Sequence, residues 1–349
     1  MRAALLLCAA GAAAAHGGGP HRNDLDRFVP SALTFAPQAG ATVTLSQASA
    51  ADGDVIVASI VNPAFASHGD FIAQYLADAD PTTTVPLKWT YLLPYIPSYG
   101  VNGTGDVRFQ VYNVRAPVVW YLCKGSTARP TVIATSARLT FDASAPVRPR
   151  VLPGPAPGSY AIAWTTDAAA APTAALKWRV GGAPGAPMTH TTPTTAARVA
   201  KADLCGAPAN TVGWMDLGET VTAQLPALAQ GAAGQAVFYT ITDATHTSQE
   251  FSFTVPPLPG QGSYPFVFAA FGDLGRGSFD DGITWKEYGA ASKNTSRWLS
   301  QEKDVQFIQH FGDISYAVGY LQTWDEFTEM ASAFSSRFPY LTSYGNQFV

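Results

Sequence analysis

Three glycine-linked polar residues near the end of the sequence carry the side chains most able to do chemistry. Asp273, Asp313 and Asn346 each directly follow a glycine, and Tyr316 comes shortly after Asp313. Metal-assisted hydrolysis of a phosphate ester uses two cations about 3.5–4 Å apart, a bridging ligand and further oxygen or nitrogen donors. A carboxylate has two oxygens and a negative charge, so Asp313 is able to bridge two ions, whereas the neutral amide of Asn346 offers one carbonyl.

The hydrophobic pattern predicts that three parallel strands position these residues. Residues 264–272 form a nearly continuous apolar run, which is typical of a strand buried on both faces, and residues 305–311 and 340–344 are shorter predicted strands. Each strand leads into one of the glycine-linked residues. In a β-α-β-α-β unit with right-handed crossovers, the carboxyl ends of all strands lie along one edge of the sheet. We therefore expect the polar residues to converge there.

Two helices are predicted to connect these strands. Asn294 or Thr295 is expected to cap the first, which would continue to about residue 303 with Trp298 and Leu299 on its buried side. The second shows apolar residues at helical spacing: Trp324, Phe327, Ala331 and Phe334. The acidic residues of this helix are expected on its surface: Asp325, Glu326 and Glu329.

Two β-rich segments precede this α/β segment. Residues 24–146 contain short runs rich in Val, Ile, Thr and aromatic residues, which predicts a β-sandwich. Residues 147–258 open with a stretch of prolines and glycines, interpreted as a linker or strand-entry loop, and then alternate as in a fibronectin type III-like sandwich. The fold class is therefore all-β plus α/β, with one or two sandwiches followed by an α/β segment at residues 264–349.

Aromatic side chains in the second β segment have two possible roles. They could form a sugar-binding platform, but alternating aromatic residues inside such strands are more often core. We favour the core for all four: Trp164, Trp178, Trp214 and Tyr239.

The glycine-linked blocks resemble a known family in their order and spacing. Gly272-Asp273-Leu274-Gly275, the block from Gly312 to Tyr316, and Gly345-Asn346 look like the first three blocks of plant-type purple acid phosphatases. Residues 205–216 and 251–260 are similar to the β region of the larger members. The resemblance implies the first part of a metallophosphoesterase domain. It also implies an acid phosphatase that hydrolyses small phosphate monoesters by a metal-bound hydroxide at a dinuclear centre.

The resemblance also implies a ligand set. A ferric ion would draw on Asp273, Asp313 and Tyr316, because a tyrosinate bound to iron marks the purple class. A divalent ion, which is zinc, manganese or iron in this family, would draw on Asp313 and Asn346.

The sequence departs from the family pattern after Asn346. Gln347 stands where the family has a histidine that acts on the phosphate group, and an amide carries neither positive charge nor a titratable proton. The family's later histidine ligands have no counterpart, since every histidine here precedes Asn346, and His310 is expected in a strand core. The chain as written therefore predicts an incomplete centre with doubtful metal occupancy. The alternative is a non-catalytic secreted β-sandwich protein with a degenerate phosphatase remnant, and a carbohydrate-binding module is a weaker third possibility.

Composition indicates a globular protein that is not a polyanion binder. Hydrophobic residues make up 47% and charged residues 13%, with a net charge of -4 and no basic run, so nucleic acid and anionic lipid are not expected partners. Residues 1–15 have the pattern of a cleaved signal peptide, which predicts secretion and no membrane attachment afterwards. Cys123 and Cys205 could pair or stay as thiols, and Asn102 and Asn294 fit the glycosylation pattern. The natural ester and the oligomeric state do not follow from the sequence.

Overall fold

The computed structural model describes residues 24–258 apart from residues 65 and 94, and then residues 266–283 and 289–345. The expectations for the signal peptide, for Asn346 and for Gln347 lie outside these residues. Within the part of the chain that the structure describes, every helix is too short or too polar to cross a bilayer.

A first sandwich spans the strands between residues 34 and 141. Its elements are β1 (Thr34–Phe35), β2 (Thr42–Leu45), β3 (Ser49–Ala50), β4 (Val55–Val61), β5 (Phe71–Leu76), β6 (Lys88–Tyr91), α1 (Pro97–Asn102), β7 (Thr104–Gln110), β8 (Val118–Ser126), β9 (Arg129–Thr135) and β10 (Thr140–Phe141). One sheet has the order β1-β9-β8-β5-β6 and the other the order β2-β4-β7, while β3 pairs with β10. Apolar side chains such as Ile56, Phe109 and Trp120 fill the space between the sheets without exposure to solvent.

A second sandwich follows, again made of two antiparallel sheets. Its elements are β11 (Val147–Pro153), β12 (Tyr160–Thr166), β13 (Ala175–Val180), β14 (His190–Thr192), β15 (Thr194–Ala197), β16 (Glu219–Gln224), α2 (Ala229–Ala232), β17 (Ala236–Thr242) and β18 (Phe251–Thr254). The orders β11-β12-β16-β15 and β14-β13-β17-β18 are those of an immunoglobulin- or fibronectin-like sandwich. Trp164, Trp178 and Tyr239 are buried between the sheets, and Trp214 packs against the first sandwich. The prediction of a core role is confirmed for Trp164, Trp178 and Tyr239, whereas Trp214 is only partly buried and lies outside the core of this sandwich.

The proline-rich stretch at the start of this sandwich is a strand rather than a linker. Residues 147–153 form β11, which lies at the edge of its sheet and pairs with β12. The register shifts between Val147 and Arg150, so Pro149 lies within a bulge. Edge strands and bulges are the positions where a sheet tolerates the missing N–H of proline, which is why the interpretation as a loop was wrong.

The last described segment has the predicted β-α-β-α-β order. Its elements are β19 (Ala269–Gly272), α3 (Gly289–Leu299), β20 (Ile308–Phe311), α4 (Gln322–Ser335) and β21 (Tyr340–Ser343). Both strand pairs are parallel, and Gly272, Phe311 and Ser343 are aligned at the ends of the three strands. The apolar face of α4 covers one face of this sheet, where Phe327 and Phe334 pack with Ile308 and Tyr340. The fold class is therefore confirmed.

Burial in this segment differs from expectation in two places. Phe266 and Phe268 are exposed, and so is the sheet face marked by Ala270 and Phe311, although the apolar run predicted burial on both faces. The reason is that α4 covers only the opposite face. Trp298 was predicted to be buried but is 64% exposed. The helix α3 starts at Gly289, earlier than predicted, and its buried side carries Ser292 and Ser296.

Features expected of a secreted protein are located as follows. Cys123 is a free thiol buried in β8, so it does not pair with Cys205, which is exposed. Asn102 is exposed at the end of α1. Asn294 lies within α3, and the hydroxyl of Ser296, the third residue of its acceptor pattern, donates a buried hydrogen bond of 2.5 Å to the Met330 carbonyl.

A histidine connects the two sandwiches. His246 Nε2 lies 2.7 Å from a carboxylate oxygen of Asp142, which follows the first sandwich, and His246 Nδ1 lies 3.0 Å from Asp243 of the second. The hydrogen bond with Asp142 raises the pKa of His246, and Asp243 adds to this shift while partial burial opposes it.

We expect His246→Ala to remove a pH-dependent contribution to stability. Because the folded-state pKa is raised, this contribution is fully present below the unfolded-state pKa of about 6.5 and is lost as the pH rises through the folded-state pKa. Urea unfolding should therefore separate wild type and variant at pH 5.5 by under about 1 kcal/mol, as for other partly exposed pairs, and should not separate them at pH 9. An equal difference at both pH values would contradict a role for the protonated ring.

Candidate metal centre

The parallel register brings two of the predicted site residues to one edge of the sheet. Asp273 directly follows β19, and Asp313 comes two residues after β20. Since Gly272 pairs with Phe311, both aspartates leave the sheet at the same level. Gly345, which precedes Asn346, lies against Asp313 from the third strand. The predicted convergence is therefore present for the described residues.

Tyr316 joins the two aspartates. Its hydroxyl donates a short hydrogen bond to Asp273 Oδ1 and lies 3.4 Å from Asp313 Oδ2. The Tyr316 side chain and Asp313 are buried, whereas Asp273 is exposed. The cluster is therefore accessible to solvent from the side of Asp273. Three oxygen-bearing side chains thus meet at the sheet edge: the two aspartates that the strand order predicted there, and Tyr316, which the family resemblance suggested.

The backbone that carries these residues is strained. Asp273, Asp313 and Tyr316 have φ angles of 54°, 39° and 50°, in the left-handed region that residues other than glycine adopt rarely. Each such residue costs on the order of 1–3 kcal/mol and persists only where the surroundings enforce it, and such residues are concentrated at functional sites. Left-handed backbone at three neighbouring positions is thus a second feature of this edge, besides the oxygen cluster, that is common at functional sites.

Glycines are required where the three turns approach one another. A Cβ added to Gly345 would lie 2.1 Å from the Asp313 nitrogen and 2.2 Å from its Oδ1. A Cβ on Gly312 would lie 2.7 Å from the Gly345 Cα, and one on Gly272 would lie 2.7 Å from the Phe311 carbonyl oxygen. The glycine before each polar residue is thus explained by close backbone packing.

His310 is part of the core, as predicted. Its ring is fully buried beside Phe271, and its Nδ1 lies 2.6 Å from the Tyr340 hydroxyl. Burial lowers its pKa to about 4, although the negative charge of Asp273 opposes this shift. The imidazole is therefore neutral across the physiological range, and it belongs to the strand rather than to the oxygen cluster.

The described donors fit one hard cation. Two carboxylates and one phenol oxygen are the ligand types that such ions prefer. Among the described residues, no group of three or more His, Cys, Asp or Glu side chains is arranged to hold a metal ion. A second ion would therefore need donors from outside the described residues, and the predicted donor Asn346 is one of those outside.

A buried charge network beneath the site was not anticipated. Asp325 and Glu326 are 4% exposed, although the helical pattern of α4 placed them on the surface. They are met by buried cations from four different parts of the chain: Lys88, Arg115, Arg148 and Arg276. A sequence signal exists for three of these cations, because Lys88, Arg115 and Arg148 have mainly apolar neighbours in the sequence.

Comparison with known proteins agrees with this architecture. A family model described as "Fn3-like domain from Purple Acid Phosphatase" matches residues 30–143. This match lies on the first sandwich, whereas the alternating pattern of residues 147–258 had predicted the fibronectin-like fold for the second.

Relatives and a solved structure extend the similarity over most of the chain. "Probable inactive purple acid phosphatase 1" of Arabidopsis thaliana is 32% identical over 270 residues, which are 75% of this chain and 43% of the relative. "Probable inactive purple acid phosphatase 27" of the same plant is 30% identical over 275 residues, with the same coverage of both chains. The structure of a purple acid phosphatase from yellow lupin seeds (Lupinus luteus) superposes with a TM-score of 0.77 at 26% identity, covering 88% of this chain and 57% of the lupin chain.

The chain thus spans less than half the length of the curated relatives it matches. The family model, these relatives and the lupin structure all point the same way, and so does the order of the glycine-linked blocks. The chain therefore carries the Fn3-like domain of purple acid phosphatases and is similar to proteins of that name over most of its length.

Proposed function

We propose that this chain contributes the first part of the metal centre of an acid phosphatase acting on small phosphate monoesters. The observation that carries the proposal is the placement of the Tyr316 hydroxyl between the carboxylates of Asp273 and Asp313. A ferric ion would be held by these three residues, and a divalent ion, zinc, manganese or iron, by Asp313 and Asn346. When bound, the metals would supply Lewis acidity and an activated water for in-line displacement at phosphorus.

The chain's own residues determine how the site exchanges protons and water. The Tyr316 hydroxyl donates a hydrogen bond to Asp273 Oδ1. Binding of a cation would displace that proton, so affinity should rise with pH. The exposed Asp273 would face solvent and substrate, while the buried ring of Tyr316 and the turn at Asp313 would exclude water from behind.

A second function has specific support. Several relatives carry "probable inactive" in their names, and Gln347 stands where the resemblance implies a histidine. In that case the chain would belong to a secreted protein that retains the fold and the oxygen cluster without turnover. The division into residues 24–146, 147–258 and 264–349, and the signal peptide at residues 1–15, form part of both proposals. The net charge of -4 supports a partner other than nucleic acid.

Titration of the chain with ferric ion tests the proposal. We expect a visible tyrosinate-to-iron absorption that Tyr316→Phe removes, while Tyr95→Phe, at an exposed tyrosine of the first sandwich, leaves it unchanged. Asp313→Asn should weaken ferric binding by at least about tenfold, since even the loss of an outer-shell partner costs that much.

Hydrolysis of p-nitrophenyl phosphate at acidic pH, measured on the same samples, tests for turnover. Absorption with turnover supports the phosphatase, whereas absorption without turnover, which an incomplete centre would also give, supports the metal site alone. The absence of any Tyr316-dependent absorption would contradict the metal site itself.

A further inference from the structure

We propose that Lys88 of the first sandwich is a positioning residue for Asp273, acting through the loop formed by residues 274–283. The proposal deepens the proposed function, because it assigns part of the metal centre's geometry to a residue nearly 200 positions away in the sequence. The loop begins directly after Asp273, which itself follows β19, so contacts that fix the loop restrain the backbone of this aspartate.

The far end of the loop is docked on the first sandwich through the backbone. The Asp281 N–H donates to the Arg108 carbonyl at 2.9 Å, and the Ile283 N–H donates to the Trp89 carbonyl at 2.7 Å. Arg108 belongs to β7 and Trp89 to β6, which are edge strands of the two different sheets. The loop therefore bridges both edges of the sandwich and satisfies backbone groups that would otherwise be open.

Lys88 secures this docking from inside. Its ammonium donates to Asp280 Oδ2 at 2.7 Å, to the Gln110 carbonyl at 3.1 Å and to Ser278 Oγ at 3.4 Å. The Gln110 N–H also donates to Asp280 Oδ2, at 2.6 Å. The Lys88 side chain is 4% exposed and that of Asp280 is fully buried, so neither charge has water as an alternative partner. Removal of Lys88 would leave a buried carboxylate without its cation, a cost that favours movement of the loop toward solvent.

The end of the loop that is nearer to Asp273, residues 274–276, is held by hydrogen bonds to the α/β segment. The Gly275 N–H donates to the Ile314 carbonyl at 3.0 Å, and the Ser292 hydroxyl donates to the Leu274 carbonyl at 2.5 Å. Arg276 Nη1 donates to Thr323 Oγ1 at 2.9 Å and lies 3.3 Å from Glu326 Oε2.

Lys88 reaches this part of the loop as well. Its ammonium lies 3.7 Å from Glu326 Oε1, so one buried cation contacts both the loop and the acidic residue that holds Arg276. Asp273 itself is exposed, so its position rests on these loop contacts together with the hydrogen bond from the Tyr316 hydroxyl.

Lys88→Met in the whole chain tests this role, with two readouts. Amide hydrogen exchange of residues 274–278 in the metal-free protein should accelerate by at least about tenfold, because the contacts that hold the loop closed are lost. Binding of terbium(III), detected by Tyr316-sensitised luminescence, should weaken by at least about tenfold.

Lys293→Met is the matched control. Like Lys88, Lys293 forms an ion pair with a glutamate of α4: its ammonium lies 3.1 Å from Glu329. Lys293 belongs to α3, however, and not to the first sandwich. It should leave loop exchange unchanged, while Lys88→Arg should restore terbium affinity most of the way to wild type. If Lys88→Met does not fold, Asp280→Asn keeps the shape of the docking and removes the same charge pair, so the same acceleration is expected.

The outcomes separate this proposal from the proposed function. Unchanged loop exchange in folded Lys88→Met, or in Asp280→Asn, would overturn the positioning role. Faster exchange together with weaker terbium binding would support both. If wild type gives no sensitised emission, the metal site is contradicted, while the exchange result still decides whether Lys88 holds the loop.

Discussion

Replacing Asp325 by asparagine should lower the free energy of unfolding by about 3–5 kcal/mol, the cost of breaking a buried ion pair from one side. Asp325 accepts from Arg115 Nη2 at 2.5 Å through one oxygen and from Arg148 Nη1 through the other. All three side chains are at most 5% exposed. The neutral amide would leave two guanidinium groups buried without an adequate counter-charge. Arg148 would keep its salt bridge to Asp52 at 3.0 Å and its hydrogen bond to the Asn113 carbonyl at 2.8 Å.

The control is Asp216→Asn. Asp216 pairs with Arg198, but these side chains are 45% and 48% exposed, so this loss should stay below about 1 kcal/mol. Urea unfolding at pH 7, followed by tryptophan fluorescence, measures both variants. Equal effects from Asp325→Asn and Asp216→Asn would mean that the buried network contributes no more than a surface pair.

The second large effect is expected at Gly345. An alanine there would place its Cβ against the Asp313 nitrogen and Oδ1, both within about 2.2 Å, and the neighbouring backbone of Gly312 prevents escape. Overpacking of this kind costs about 1–3 kcal/mol, and here it would also displace the carboxylate proposed to bridge the metals. We expect Gly345→Ala to lower stability by that amount and to weaken ferric binding by at least about tenfold.

Gly206→Ala is the matched control for Gly345→Ala. A Cβ on Gly206 would meet nothing within 4 Å, so this variant should match wild type in both stability and ferric binding. Ferric binding that survives Gly345→Ala unchanged would show that the three strand ends do not form one site.

Local pattern was sufficient for the order of the elements and for the main cluster. The strand ends at Gly272 and Phe311 and the apolar face of α4 follow from periodicity, because side-chain spacing is set by the local backbone. The convergence of Asp273 and Asp313 follows from parallel strand order, which is a topological rule. Tyr316 entered through family resemblance, and its contact with both carboxylates agrees with that reading.

What local pattern could not supply was the identity of distant partners. Asp325 follows the polar phase of its helix, yet Arg115 lies 210 residues earlier and Arg148 lies 177 residues earlier. No periodicity encodes such a pairing, so these acids were placed in solvent. The prediction of burial was also wrong for the sheet face that carries Phe268 and Phe311. Its apolar residues would be buried only under a second layer, and among the described residues α4 covers the other face.

The loop formed by residues 274–283, which covers the edge strands β6 and β7, limits where segments can be exchanged between this chain and its relatives. A boundary drawn at residue 143, where the family model ends, would separate Lys88 from Asp280 and would free the backbone of β6 and β7. Open strand edges of this kind invite pairing with other chains. In a chimera of two relatives, the lysine of the first sandwich and the loop of the α/β segment should therefore come from the same parent.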